Sequence, residues 1–313
     1  MKILNITHAS DMDGRGCEIL IKLVFEDNEI ILTEPSLLYD VISDLINNKE
    51  YLKYDEIFIT DLGIHEKTAV LIDEYLKDKV HHIDHHTTEI FNKYDWSYID
   101  EIREDGFMPS ATSLYYEYLK DRFNLDILNY KSLEDLVEGI RCQDTYTFKK
   151  YNNTLGPDLT TVFSNVTDEE EFINSIIERI KNNKDEFIFT DLENKIIEDN
   201  KQAIDDYLDE CERRMQVINY DKYKVGLSIS TKYRSIVGNV LNERHPELDF
   251  ILIADFNREK FSARTIHDNI NLNDICFKLG GGGHPKAAGF DMTPDNLLIF
   301  KDYLGNIDRN NLF

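Results

Sequence analysis

Basic residues are scarce in this chain. Its 313 residues hold 35 Lys and Arg against 60 Asp and Glu, a formal charge of −25 at pH 7. Proteins that hold long nucleic acids use basic stripes that displace counterions from many phosphates, so a long polyanion, and long double-stranded nucleic acid above all, is excluded as the default ligand. A short phosphorylated ligand is not excluded, because bound divalent cations reverse the local field wherever carboxylates cluster. Long apolar runs are missing as well: no stretch reaches the roughly 18 consecutive apolar residues of a membrane-spanning helix. The opening segment Met1-Lys2-Ile3-Leu4-Asn5-Ile6-Thr7 turns polar too soon for the apolar core of a secretory signal. Cysteine is rare. Cys17, Cys142, Cys211 and Cys276 are widely separated and form no CxxC pair, which argues against a disulfide framework or a zinc knuckle and for four reduced, mostly buried thiols. The expectation is a soluble, cytoplasmic protein that does not engage membranes.

What is present is an ordinary folding composition, 42% hydrophobic and 11% aromatic, in a chain long enough for two domains with cores of their own. The first half alternates strand signals at 2–7, 29–33, 56–60 and 80–84 with helix signals at 15–25, 37–47 and 67–77. Such alternation predicts an α/β fold built on a parallel, helix-flanked sheet. Ser110 to Ser113 opens a helix running to about Arg122, and a helix over 133–141 delivers Asp144 just beyond its end. Thr167 with Glu170 fits a capping box before a helix at 172–180, and a highly charged helix follows from about 187 to 215. Strands at 223–230, 250–255 and 261–265 and helices at 235–244 and 272–278 then predict a smaller second α/β domain. We divide the chain into a catalytic domain over 1–186, a helical connector over 187–215 and a substrate-binding domain over 216–313, with the active site expected in the cleft between the two domains.

Three strand ends carry chemistry. His8-Ala9-Ser10-Asp11-Met12-Asp13-Gly14 follows the first strand, Asp61 the third, and Asp84-His85-His86 the fourth; Asp144 comes later. Ligand sites of α/β folds lie at the carboxyl edge of the sheet, and a carboxylate with two imidazoles is costly to bury there without a cation. This inventory predicts a two-metal hydrolase centre. Hard carboxylate oxygens suit Mn²⁺ and Mg²⁺, and one or two imidazoles shift the preference toward Mn²⁺ or other transition metals, so Mn²⁺ is the expected ion, with Mg²⁺ or Co²⁺ as alternatives. Asp61 stands alone between two ligand pairs and is the candidate shared carboxylate, with a water between the ions as the nucleophile. His81 and His82 are not expected to be ligands.

Gly280-Gly281-Gly282-Gly283-His284-Pro285-Lys286 is a second site of interest. Glycine runs let backbone N–H groups approach an anion closely. Ser262-Ala263-Arg264 ends a nearby strand with a guanidinium suited to bidentate phosphate recognition.

With those residues in view, the chain resembles the DHH phosphoesterase family, named for the triplet seen here as Asp84-His85-His86. HASDMDG, TDLG, HIDHH and QDTYTF resemble the four motifs of its first domain, and SART with GGGGHPKAAGF resembles the DHH-associated C-terminal domain. The resemblance implies that His8, Asp11 and Asp61 hold one manganese and that Asp13, Asp61, His85 and Asp144 hold the other. It places His86 beside the scissile phosphate and has Asp84 orient its neighbours. Arg264, Gly282, Gly283 and His284 would grip the substrate. His8 precedes Asp11 by three positions, where many members have four. The implied activity is hydrolysis of short oligonucleotides or dinucleotides to 5′-mononucleotides, by a protein that could be a monomer or a homodimer. The alternatives are a 3′,5′-bisphosphate nucleotidase, a RecJ-like single-strand exonuclease, and a nucleotide-binding regulatory module without turnover. The glycine-rich motif argues against the inorganic pyrophosphatases, which share only the first domain.

Overall fold

The computed structural model describes residues 1–86 and 93–299; residues 300–313, assigned above to the second domain, lie outside them. The chain forms two compact units, Met1–Ile197 and Glu198–Phe313.

In the first unit the elements run β1 (Ile3–His8), α1 (Met12–Val24), β2 (Asn28–Thr33), α2 (Leu38–Asn47), β3 (Glu56–Thr60), α3 (Glu66–Tyr75), β4 (Val80–Asp84), β5 (Ser97–Ile99), α4 (Ala111–Arg122), α5 (Lys131–Asp144), α6 (Phe148–Tyr151), α7 (Leu155–Phe163), α8 (Glu169–Asn182) and α9 (Asp191–Arg214). The five strands form a parallel sheet in the order β2-β1-β3-β4-β5. Its central strands are buried on both faces because alternate residues feed different cores. Ile3, Phe58 and Ile83 pack with α1, α4, α5 and α8, whereas Leu4, Ile6, Ile57 and Ile59 pack with α2 and α3. That two-sided cover is why the strands read as near-continuous apolar runs. Each fully buried Ile or Phe contributes about 1.5–3 kcal/mol.

The second unit continues with β6 (Gln216–Tyr220), β7 (Tyr223–Ile229), α10 (Arg234–Arg244), β8 (Phe250–Asp255), β9 (Lys260–Arg264), α11 (Leu272–Phe277), β10 (Gly282–His284) and β11 (Ala287–Asp291). Its six-stranded sheet has the order β10-β11-β9-β8-β7-β6, with β7 and β8 parallel and the other pairs antiparallel. Helix α9 supplies Ile197 to the core of the first unit and Leu208 and Cys211 to that of the second.

Several expectations need correction. The cap of α8 is Asp168, which accepts from Glu171 N–H at 2.8 Å, rather than Thr167. A capping box does open α9: Thr190 Oγ accepts from Glu193 N–H and Glu193 Oε2 accepts from Thr190 N–H. Asp144 is the last residue of α5 rather than beyond its end. The short elements β5, β6, α6 and α7 were not anticipated, and the glycine run is half of a hairpin rather than a free loop. All four cysteines are free and buried. Among the described residues no helix is long and apolar enough to cross a membrane.

Candidate metal centre

Strands β1, β3 and β4 are neighbours in the sheet and run the same way, with Thr7 opposite Thr60 and Thr60 opposite Ile83. Their carboxyl ends therefore deliver His8, Asp61 and Asp84-His85-His86 side by side. Asp11 is the N-cap of α1, and its Oδ1 accepts from the N–H groups of Asp13 and Gly14 at 3.1 Å. Its Oδ2 is left 2.9 Å from His8 Nδ1. A Cβ at Gly14 would sit 2.2 Å from His8 O, so glycine is what lets the helix start this close to the strand end. Asp13 is aimed by a second helix. Its two carboxylate oxygens accept from Ala111 and Thr112 N–H at 2.7 and 2.9 Å, at the positive N-terminus of α4. Asp61 adopts φ +55°, a left-handed conformation that aspartate tolerates better than most residues.

The ligand atoms converge. Those of His8, Asp11 and Asp61 lie within 4.8 Å of one another, as do those of Asp13, His85 and Asp144, and those of Asp61, Asp84, His85 and His86. His85 Nε2 is 3.7 Å from Asp13 Oδ2, 3.7 Å from Asp61 Oδ1 and 3.5 Å from Asp144 Oδ2. His8, despite its three-residue spacing from Asp11, is brought into the cluster, with Nδ1 3.6 Å from Asp61 Oδ2. Asp61 Oδ2, Asp84 Oδ2 and His85 Nε2 are buried and carry no hydrogen bond. Buried unpaired polar atoms cost about 1–3 kcal/mol each. A site with such atoms, five converging aspartates and three imidazoles fits divalent cations.

Charge tells the same story. The Asp61 carboxylate beside it, with Asp11 and Glu34, raises the His8 imidazole to about 10. Burial pulls the other way at His85, but Asp61, Asp13 and Asp144 prevail and raise it to about 9. Burial, together with neighbouring negative charge, pushes Asp11 and Asp13 upward and Asp144 up to about 6. Without a cation the cluster therefore draws in protons to offset its charge. Asp84 differs: burial alone would raise it, yet the imidazoles of His82 and His86 hold it well below the usual carboxylate range. Asp84 Oδ1 accepts from His85 N–H and from His86 Nδ1–H, both at 2.8 Å. The hydrogen bond to Asp84 raises His86 in turn. The His86 side chain is 55% exposed. Both ring nitrogens of His82 are engaged, by Ser97 Oγ at 2.8 Å and Leu62 O at 3.0 Å.

In the second unit, Arg264, Gly280 to Gly283, His284 and the facing residues of β9 and β11 line an open cavity of about 620 Å³. The glycine N–H groups are mostly spent inside the unit: Gly280 on Phe277 O, Gly281 on Cys276 O and Gly283 on Asn273 Oδ1. The run thus supplies space more than donors. Arg264 donates to Ala263 O at 2.8 Å and Ser235 Oγ at 3.0 Å, and Lys286 is turned to Ile266 O and Asp268.

No family model matches the chain. It is 33% identical over 296 residues to oligoribonuclease NrnB of Bacillus subtilis, covering 93% of this chain and 73% of that protein. The chain belongs to the DHH phosphoesterase family. It is a phosphodiesterase. The fold is shared with a pGpG-specific phosphodiesterase, PggH, of Vibrio cholerae, at TM-score 0.55 and 16% identity over 97% of each chain. The DHH triplet that names the family is the end of β4 and its two following residues. One residue of this DHH site was not anticipated. Glu34, just past β2, accepts from His8 Nε2–H at 3.1 Å and from Ser10 Oγ. The strand-end rule applied to β2, which pairs with β1 up to His8 opposite Thr33, would have found it.

Proposed function

We propose that this DHH phosphoesterase is a divalent-metal-dependent enzyme, favouring Mn²⁺, that hydrolyses short oligonucleotides or dinucleotides to 5′-mononucleotides in the cytoplasm. The observation that carries the reading is the convergence of Asp61 Oδ2, Asp84 Oδ2 and His85 Nε2, all buried and without a hydrogen bond, within one cluster of carboxylates and imidazoles. The substrate class rests on the similarity to oligoribonuclease NrnB and on a charge of −25 that repels long polyanions. His8, Asp11 and Asp61 would hold one ion and Asp13, Asp61, His85 and Asp144 the other. Such a pair supplies an acidified nucleophilic water and neutralises charge developing on the phosphate.

The protein's own groups have definable parts. Glu34 accepts a hydrogen bond from His8 Nε2–H and so leaves Nδ1 as the nitrogen facing Asp11 and Asp61. Asp84 holds the His86 ring by Nδ1 and favours its charged form, which leaves Nε2–H free to donate to a phosphate oxygen. Arg264, Gly282, Gly283 and His284 would bind the nucleotide in the cavity of the second unit. The test is chelator-treated protein with Mn²⁺, Mg²⁺ or no metal, against linear di- to decanucleotides, cyclic dinucleotides, a 3′,5′-bisphosphonucleoside and pyrophosphate. Hydrolysis of the shortest linear substrates, fastest with Mn²⁺, is expected. A full rate without metal, or preference for long strands or bisphosphonucleosides, overturns the reading.

A further inference from the structure

Helix α5 ends on Asp144 in a Schellman arrangement, in which Thr147 N–H donates to Cys142 O at 2.8 Å and Tyr146 N–H to Gln143 O at 3.2 Å. This geometry requires a left-handed residue at position 146, and its φ is +56°. Glycine is preferred at such a position because any L side chain is strained there. The residue is nevertheless tyrosine. It is 63% exposed, and its ring meets Phe148 only edge to face, with centroids 5.0 Å apart and planes at 78°. Folding has little use for this ring, which strains the backbone and buries little. Its position, however, is two residues past the carboxylate that closes the metal cluster, a span of at most about 7 Å between Cα atoms. An exposed aromatic within one nucleotide's reach of a phosphate site is the chemistry that stacks on nucleobases, and stacking of this kind tolerates every base.

We propose that Tyr146 is a base-stacking residue of the substrate site. The proposal rests on the oligonucleotide reading above. It assigns to Tyr146 a preference for phosphodiesters that carry a nucleobase beside the scissile phosphate, without discrimination among sequences. The ring, not the hydroxyl, is the working group.

The test compares Y146G and Y146F with the unsubstituted enzyme on a 5′-phosphorylated dinucleotide and on the same compound with its bases removed. For Y146G, kcat/KM on the dinucleotide should fall about 5- to 150-fold, chiefly through KM, with little change on the abasic compound. Its Tm should be unchanged or about 2–4 °C higher, since glycine relieves the left-handed strain. Y146F should behave as the unsubstituted enzyme does. Equal losses on both substrates together with a lower Tm would make Tyr146 a packing residue and overturn the proposal, as would an unchanged KM in Y146G. If the unsubstituted enzyme cleaves no dinucleotide, the oligonucleotide reading fails and takes the proposal with it; if it does and Y146G matches it, only the stacking role fails.

Discussion

Metal binding to this site should expel protons, and the number can be worked out from the geometry. In the metal-free protein His8 is raised to about 10 and His85 to about 9. At pH 7 about one His8 ring in a thousand and one His85 ring in a hundred is neutral. An imidazole ligates only through an unprotonated nitrogen, so each of the two rings must lose a proton when its ion binds. Asp144, near 6, is about one-tenth protonated at pH 7 and adds about 0.1. Loading both ions should therefore release at least about two protons, and apparent affinity for each ion should rise about tenfold per pH unit between pH 6 and 8. Titration calorimetry with Mn²⁺ in PIPES and in Tris reads the number directly, as the slope of observed heat against buffer ionisation enthalpy. H8Q should remove about one proton from that slope. A slope below one proton for the two ions would refute the assignment of both histidines as ligands. The same shifts set the stability of the metal-free protein. Histidines whose folded values lie above the ordinary 6.5 give stabilisation that is complete below about pH 6.5 and is lost as pH rises through 9 to 10. The Tm of chelated protein should thus fall across that window, whereas the Mn²⁺-stabilised increment should grow with pH from 6 to 8.

H86A should lower kcat by about 10²–10³, the usual loss for one donor to developing charge, while leaving metal content intact; loss of an ion would instead make His86 a ligand, which its grouping with Asp61, Asp84 and His85 permits. D61A should weaken both ions, because His8 and His85 each face a different oxygen of that carboxylate, and metal analysis should find a larger loss than in D11A or D144A. G282A and G283A should separate binding from folding. A Cβ at Gly282 meets nothing nearer than Asn273 Oδ1 at 3.6 Å, whereas one at Gly283 would lie 2.6 Å from Ala287 O at φ +144°. G282A should keep its Tm and raise KM by narrowing the cavity, and G283A should lower Tm; a G282A enzyme with normal KM would leave Gly282 outside the substrate site.

The parallel sheet and the metal cluster were legible because both are written in local code. Two-sided burial makes each central strand a short apolar run, and the residue that follows the run carries the chemistry, as at His8, Asp61 and Asp84. The groups that position those residues were not legible. Asp13 is aimed by the N–H groups of Ala111 and Thr112, almost a hundred positions away, and backbone donors leave no mark in a sequence. Glu34 looks like any surface carboxylate until β2 is known to lie beside β1. The strand β5 has three residues, with Tyr98 half exposed, too short for periodicity to register. The glycine run is ambiguous in a different way. Its lack of side chains reads equally as an anion nest and as a tight hairpin, and only the hydrogen bonds of Gly280, Gly281 and Gly283 show that three of its four donors are already engaged within the unit.

Tyr146 marks the opposite limit. The sequence displays it openly, inside QDTYTF, but its meaning depends on a backbone angle. In an ordinary loop an exposed tyrosine calls for no explanation. At the left-handed position of a helix terminus it opposes the local preference for glycine, and a residue that opposes local preference without burying surface is selected by something other than folding. Asp61 follows the same logic, since its φ of +55° is held at the point where two groups of ligands meet. Of the seven non-glycine residues with positive φ among the described residues, Lys49, Asp61, Tyr146, Asn152, Asp221, Tyr233 and Glu259, these two are the ones that lie on the metal cluster or within two residues of it, so at these two positions the cost in backbone energy falls where the chemistry is.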